Sequence, residues 1–248
     1  MGAGSVCRSG GAQVMRNRLR AGRAPFAMLL AVVCLGATVA RAGPVASRLI
    51  PLDPQFAELG PMRGYYSTLR RQLLGSHPFG PHLIVTPSFA KEWAVQVAWD
   101  RGQPFAMSVK VKESLWYTLQ GRMERERKSE AELLLKIETP LERVASPLTA
   151  ETARAVEQAW DAMLATARIP EDPPRGIDGT GYWFFSTAAD GARRAGYAWS
   201  PQPGTATRGL VDLADALKAH AEAPERSWTA TEAEVAKLSK AVLRLAAP

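Results

Sequence analysis

Alternating apolar and polar positions place two β-hairpins on the chain. In "EWAVQVAW", Trp93, Val95, Val97 and Trp99 alternate with Glu92, Ala94, Gln96 and Ala98. This is the two-residue period of a strand. "DRGQ" follows as a turn, and "FAMSVKV" resumes the alternation with Phe105, Met107, Val109 and Val111, turning Lys110 and Lys112 the other way. Two such runs this close predict an antiparallel hairpin over 91–111. The second hairpin begins after the turn signal Asp178-Gly179. Residues 180–186 are apolar on both sides, with Tyr182 and Phe184 on one and Trp183 and Phe185 on the other, as in a strand covered on both faces. After a loop with Asp190-Gly191, Ala195, Tyr197 and Trp199 alternate with Arg194, Gly196 and Ala198, and Pro201 ends the run.

Between the hairpins the period changes to that of a helix. Ala153, Val156, Trp160, Met163, Leu164 and Ala167 recur at spacings of three and four. Thr149 stands at the N-cap position with Glu151 in the first turn, and Pro170 closes the segment. Two more helices finish the chain. Leu210, Leu213, Ala214, Leu217 and Ala221 form one stripe, and Val235, Leu238, Val242 and Leu245 another. Thr231 with Glu234, or equally Thr229 with Glu232, fits a capping box for the last.

Residues 43–90 are broken by Pro44, Pro51, Pro54, Pro61, Pro78, Pro81 and Pro87. "MRGYYSTLRRQLL" predicts one short helix there, with Tyr66, Leu69 and Leu73 on one face, and "HLIVT" a short strand. The charged stretch "RMERERKSEAE" fits an exposed helix or the solvated start of a strand, and with "LLLKIE" behind it we expect a third strand.

The sum is an α+β fold: antiparallel aromatic-rich β-hairpins packed against one long central helix and C-terminal helices. We expect a proline-rich region at 43–90, an α+β core at 91–223 and a C-terminal helix at 224–248. The central helix must bury its apolar stripe, so Trp183 and Phe185 are expected beneath it, near Trp160 and Met163. Tyr182 and Phe184 then face the C-terminal helices or a surface groove. A one-residue slip exchanges the two sets.

Charge changes this picture only at the start of the chain. The formal net charge is +7, yet Arg8, Arg16, Arg18, Arg20, Arg23 and Arg41 precede residue 43 with no Asp or Glu among them. The remainder has 25 Lys and Arg against 24 Asp and Glu. "RNRLRAGR" followed by "APFAMLLAVVCLGATVA" and by Ala40 and Ala42 has the layout of a cleaved signal peptide over 1–42. Translation starting at Met15 would fit the same layout. The apolar run is at the short end for a membrane span. Val33 before Cys34 does not match a lipid-attachment site, which needs a small residue there. Both cysteines, Cys7 and Cys34, fall in this segment. The mature chain therefore has no thiol for disulfide, nucleophile or metal.

Chemistry is sparse in what remains. His77 and His82 flank "PFGP" and could share a metal only with scattered carboxylates such as Asp53 or Glu58; their spacing matches no H-E-x-x-H pattern. His220 lies near a helix C-terminus, where the dipole favours a partly charged ring. Ser88 has no G-x-S-x-G setting. Paired carboxylates could come from Asp178, Asp190 or Asp212, with Asp178 closest to the aromatics. No phosphate-binding glycine loop occurs. The pairs Arg70-Arg71 and Arg193-Arg194 fit solvated faces better than nucleic-acid contacts. No cofactor and no metal are expected.

"TPSFAKEWAVQV", "SPLTAETARAVEQAWDAMLATAR", "IDGTGYWFFS", "AGYAWSP" and "GLVDLADALKAH" together resemble a group of small exported bacterial proteins of uncharacterised function, over residues 85 to 220. The resemblance implies a bacterial-envelope location and no mechanism. Gly181, at a place where another strand residue would be expected, predicts a looser strand start. The expected function is non-catalytic binding of a protein, peptide or glycan in the periplasm or outside the cell. Tyr182, Trp183 and Trp199 are the possible groove residues, and membrane contact comes only through the signal segment before cleavage. The alternative is a small periplasmic hydrolase using His82 and Asp178.

Overall fold

The structure, a computed structural model, describes residues 49–52, 63–75, 80–169, 178–187 and 191–247. The expected signal segment, Cys7, Cys34, Asp53, Glu58, His77 and Asp190 lie outside the described residues.

Among the described residues, seven antiparallel strands form one sheet. They are β1 (Ile50–Leu52), β2 (His82–Pro87), β3 (Trp93–Asp100), β4 (Gln103–Val111), β5 (Leu141–Pro147), β6 (Thr180–Thr187) and β7 (Arg193–Trp199), in the order β1-β7-β6-β2-β3-β4-β5. Both expected hairpins are present. The first closes through Arg101-Gly102, with Asp100 opposite Gln103. Both turn residues have positive φ, 49° and 83°. That is the backbone a two-residue turn needs to match the twist of its strands.

Helices cover the sheet on both sides. On one face α4 (Ala150–Ala165), α5 (Ala206–Glu222) and α6 (Trp228–Ala246) bury Leu83, Val85, Val95, Val97 and Phe184 together with Trp160, Met163, Leu213 and Val242. On the other, α1 (Arg63–Leu74), α2 (Leu115–Glu126) and α3 (Glu130–Leu134) bury Ile84, Ala94, Val109, Val111 and Phe185 together with Leu69, Leu73, Leu119 and Leu133. β1, α1 and β2 from the proline-rich region, and α6 from the C-terminal segment, thus share the sheet and cores of 91–223.

The fold class is as expected, but one placement is reversed. Phe184, not Trp183 or Phe185, meets the central helix, with its ring 5.6 Å from that of Trp160. Trp183 and Phe185 face α1 instead. β6 is apolar on both sides, so its pattern holds no information about which helix belongs to which side. Residues 121–138 are not a strand either. Ser114 caps α2, whose Leu115 and Leu119 are buried one turn apart, and Ser129 with Glu132 forms a capping box that opens α3. The strand beside β4 is β5, "LERVASP", whose exposed Glu142 and Arg143 mask its alternation.

Thr149 caps α4 as expected, accepting from Thr152 N at 3.2 Å. Neither capping box proposed for α6 forms. Glu232 instead accepts from the N–H (2.8 Å) and hydroxyl (2.7 Å) of Thr149, so it reinforces the start of α4 and ties the two helices together.

Candidate functional site

Aromatic side chains collect at the end of the sheet where β2 and β7 finish and β3 and β6 begin. Their positions follow from two anchors. The first is Glu92, one residue before β3 and 1% exposed. Its carboxylate accepts from Tyr65 Oη (2.6 Å), Ser114 Oγ (3.0 Å), Leu115 N (3.1 Å) and Trp116 N (3.0 Å). A buried charge is tolerable when its lone pairs are filled and it faces the exposed amides of a helix start. The arrangement fixes the first turn of α2 against that of α1. Burial, and then the negative charge of Glu92 and its hydrogen bond, push the Tyr65 phenol well above its ordinary value, so it stays a donor.

The second anchor is the "DGTG" stretch. Ser88 N donates to Gly179 O (2.8 Å) and Gly179 N to Ser88 Oγ (3.0 Å). Ser200 N donates to Thr180 O (2.9 Å) and Thr180 N to Ser200 Oγ (3.0 Å). The serines of "TPS" and "WSP" therefore pin the start of β6 from both sides. Gly179 does not have a positive φ. Its requirement is space: a Cβ there would lie 2.5 Å from Ser200 Oγ and 2.8 Å from the Trp199 ring. Gly181 is also a matter of space and not of a loosened strand. It is paired on both sides, with Thr86 and with Trp199. A Cβ on it would lie 2.6 Å from Thr86 Oγ1 and 3.3 Å from both Trp183 Nε1 and Tyr197 Cε2.

Between the anchors runs a chain of touching rings. Trp116 packs on Tyr65 (5.6 Å between centroids), Tyr65 on Tyr66 (5.1 Å), Tyr66 on Trp183 (4.5 Å) and Trp183 on Tyr197 (4.6 Å). Trp183 Nε1 donates to Thr86 Oγ1 (3.2 Å). Tyr65 is buried, while Trp116, Tyr66, Trp183 and Tyr197 are half-buried. Burial raises the Tyr66 and Tyr197 phenols, so both remain neutral hydroxyls. At the rim, Phe89 is 75% exposed and Tyr117, whose hydroxyl donates to Ser88 O (2.9 Å), is 51% exposed. The rings meet at 45° to 80°, so the surface is faceted and not flat.

Of the three expected groove residues, Trp183 and Trp199 belong to this face. Tyr182 belongs to the opposite one, stacked on Phe184 (6.5 Å), with burial raising its phenol. Tyr66, Trp116, Tyr117, Phe89 and Tyr197 are additions from the structure. The signal for the first three was present as "GYYS" and "LWYT", but nothing local says that these two helix starts meet.

His82 and Asp178 are not brought together. His82 pairs with Phe185 at one end of β2 and Thr180 with Pro87 at the other. At about 3.3 Å per residue the two ends are roughly 16 Å apart, and Asp178 lies beyond the far one. His82 is buried in a stack: its ring lies 5.0 Å from Phe185 at 11°, with Arg70 4.9 Å from the other partner of that ring stack, the Phe185 centroid. Nδ1 donates to Gly80 O (3.0 Å), and Nε2 is buried without a partner among the described residues. Burial lowers its pKa to about 4, with the Arg70 charge acting in the same direction. Asp178 is exposed. His220 is buried with Nε2 on Pro147 O (2.9 Å) and Nδ1 on Thr231 Oγ1 (2.8 Å), tying α5 to β5 and α6. Asp212 pairs with Arg208 (2.8 Å) on α5. Ser88 is occupied in holding Gly179.

No helix among the described residues is long and apolar enough to cross a membrane. The chain matches no protein-family model, no curated protein and no solved structure. The resemblance to small exported bacterial proteins therefore rests on the sequence motifs alone.

Proposed function

We propose that the chain is an exported, non-catalytic binding protein of the bacterial envelope, and that it takes a protein, peptide or glycan on the aromatic surface around Trp183. The supporting observation is the half-buried ring chain with Phe89 and Tyr117 exposed at its rim. Rings held in place by Glu92, Thr86 and Ser88 lose little freedom on binding, which favours contact through their faces. The surface offers aromatic faces and neutral hydroxyls, the groups that suit an apolar side chain or a sugar ring.

The test compares the mature chain with a Phe89→Ala/Trp183→Ala variant, both immobilised and exposed to envelope extract and to defined glycans. A specific ligand retained by the first and lost by the second is the expected result. Equal retention by both rules the surface out. Export is tested separately by N-terminal sequencing from the native host: a start at Gly43 in the periplasm or medium is expected, and a cytoplasmic product retaining Met1 or Met15 overturns it.

A further inference from the structure

β5 is the last strand in the sheet order and is bracketed by two hydrogen bonds that fix its phase. Lys112 N donates to Pro140 O (2.7 Å) and Leu148 N to Pro104 O (2.9 Å). The even-numbered backbone groups thus turn toward β4, and the N–H and C=O groups of Leu141, Arg143 and Ala145 turn outward. At the C-terminal end of the strand the edge is covered: His220 Nε2 takes Pro147 O (2.9 Å) and Ser146 Oγ donates to Ala221 O (3.2 Å). Along Leu141–Ala145, no hydrogen bond among the described residues reaches the outward groups. An open run of this kind is a template for another strand.

A recess of about 520 Å³ opens beside this run, between α1 and the segment that follows α3. Arg71 and Arg143 line it, with Leu135, Glu138, Thr139 and Leu141. Arg143 Nη2 donates to Gln72 O (3.1 Å), and the Gln72 amide bridges Ile137 O (2.8 Å) and Thr139 N (3.1 Å), so the wall is braced. Neither arginine has a carboxylate partner among the described residues, and Glu138 is the one acid in the lining. Thr139 Oγ1 is buried without a partner. Leu135 is 80% exposed. Two guanidinium groups without a carboxylate partner among the described residues suit a carboxylate, and the neighbouring Leu135 suits an apolar side chain.

We propose that the β5 edge takes the C-terminal segment of an extended peptide as an eighth strand, its terminal carboxylate held by Arg71 and Arg143 and its last, apolar side chain against Leu135. A peptide end presents the two required groups together, and the outward backbone of Leu141, Arg143 and Ala145 supplies the pairing. This surface is separate from the aromatic one and does not depend on it. A second copy of the chain is the rival occupant. The two-fold register that uses all three outward residues is centred on Arg143, and it sets Arg143 against Arg143, which disfavours it.

The probe is acetyl-Thr-Val-Thr-Val-Thr-Leu with a free carboxylate, titrated into the full chain by calorimetry, with amide exchange followed by NMR. Expected are saturable binding below millimolar and slowed exchange at Leu141, Arg143 and Ala145. Affinity should fall by roughly tenfold or more on amidating the peptide, on Arg71→Glu, and on Ala145→Pro, which removes an outward N–H. Arg71 and Ala145 are exposed, and unchanged melting of both variants shows that the fold is kept. No saturable binding at millimolar peptide overturns the proposal. So does binding indifferent to amidation and to Arg71→Glu, or a peptide-free dimer already protecting the same three amides.

Discussion

Among the described residues each face of the sheet is covered by three helices, but the rings around Phe184 and those around Trp183 differ in exposure. Under α4, α5 and α6, Trp160 and Phe184 are 1% and 0% exposed and meet edge to face. Under α1, α2 and α3, Tyr66, Trp116, Trp183 and Tyr197 keep part of their rings in solvent. Phe184 and Trp183 are neighbours on one strand, so the difference comes from what lies above them. Trp160 of α4 meets the Phe184 ring, in one buried cluster that also holds Leu164, Leu210 and Leu213. Trp183 is met by Tyr66 from the first turn of α1, which the buried Glu92 carboxylate ties to the first turn of α2, and both rings stay half-buried. Both faces bury a core, but beside the one under α1, α2 and α3 a row of rings stays at a surface.

The largest expected effect is on the closed face. Trp160→Ala should cost about 3–5 kcal/mol, the range for truncating a buried ring, a large share of an ordinary stability of roughly 5–15 kcal/mol. Chemical denaturation measures it. Trp160→Phe should cost far less, because it keeps a ring and removes an indole N–H that has no partner among the described residues. If Trp160→Ala cost no more than Trp183→Ala, the contrast between the faces would be wrong.

The second effect concerns pH and belongs to the α1 side. His82 titrates at about 4 in the folded chain against 6.5 for a free ring. The unfolded chain therefore takes up the proton first as pH falls. Stability from this group is fully present above about pH 6.5 and is lost toward pH 4, by roughly 3 kcal/mol at most. The cause is burial first and the Arg70 charge after it, against the opposing hydrogen bond to Gly80 O; because Nδ1 already donates to that oxygen, the added proton goes on Nε2, which is buried without a partner among the described residues. His82→Gln should flatten stability between pH 4 and 6.5, measured by urea unfolding at stepped pH. A wild-type profile that is already flat over that range removes the argument.

Much of the fold was legible in the sequence, and the reasons differ between elements. The hairpin at 93–111 was readable because its alternation and its Arg101-Gly102 turn agree. α4 was readable because Thr149, Glu151 and the apolar stripe agree. β5 was not, because Glu142 and Arg143 sit in a strand whose outer side is solvent. α3 was missed although Ser129 and Glu132 gave its start, because "LLLKIE" has the composition of a strand. The site was half legible. Trp183 and Trp199 could be named, but Tyr66, Trp116 and Tyr117 are placed there by Glu92. Its role depends on contacts 22 to 27 residues away along the chain, which no local pattern records.

A third and smaller effect tests whether the ring surface needs its bare floor. A methyl group at residue 181 would lie 2.6 Å from Thr86 Oγ1 and 3.3 Å from Trp183 and Tyr197. Gly181→Ala should therefore cost roughly 1–3 kcal/mol, the range for overpacking. It should also change the near-UV circular dichroism of the aromatics. Substituting Gly209, whose added methyl would meet Leu245 and Val242 only at 3.5 Å and 3.7 Å, serves as the control and should leave that spectrum unchanged. Equal spectra for both variants would mean that Gly181 is not the floor of the ring chain.

Trp183→Ala is expected to have the smallest effect on stability and the largest on binding. A fully buried large side chain contributes about 1.5–3 kcal/mol through area alone; Trp183 is half-buried, and its indole N–H bond to Thr86 adds about 1 kcal/mol. A loss of about 1–2 kcal/mol follows, well below that for Trp160→Ala. Ring contact with Tyr66 and Tyr197 would be broken on both sides, so the surface should lose its shape while the α4 side stays intact. The measurement is a pair of melting curves beside a pair of binding curves with whatever ligand the wild-type chain retains. A variant that melts slightly early and binds nothing separates the two faces by function. One that melts as early as Trp160→Ala would make Trp183 a core residue like Phe184, and the ring chain would then be part of the core under α1 and α2 with no surface role.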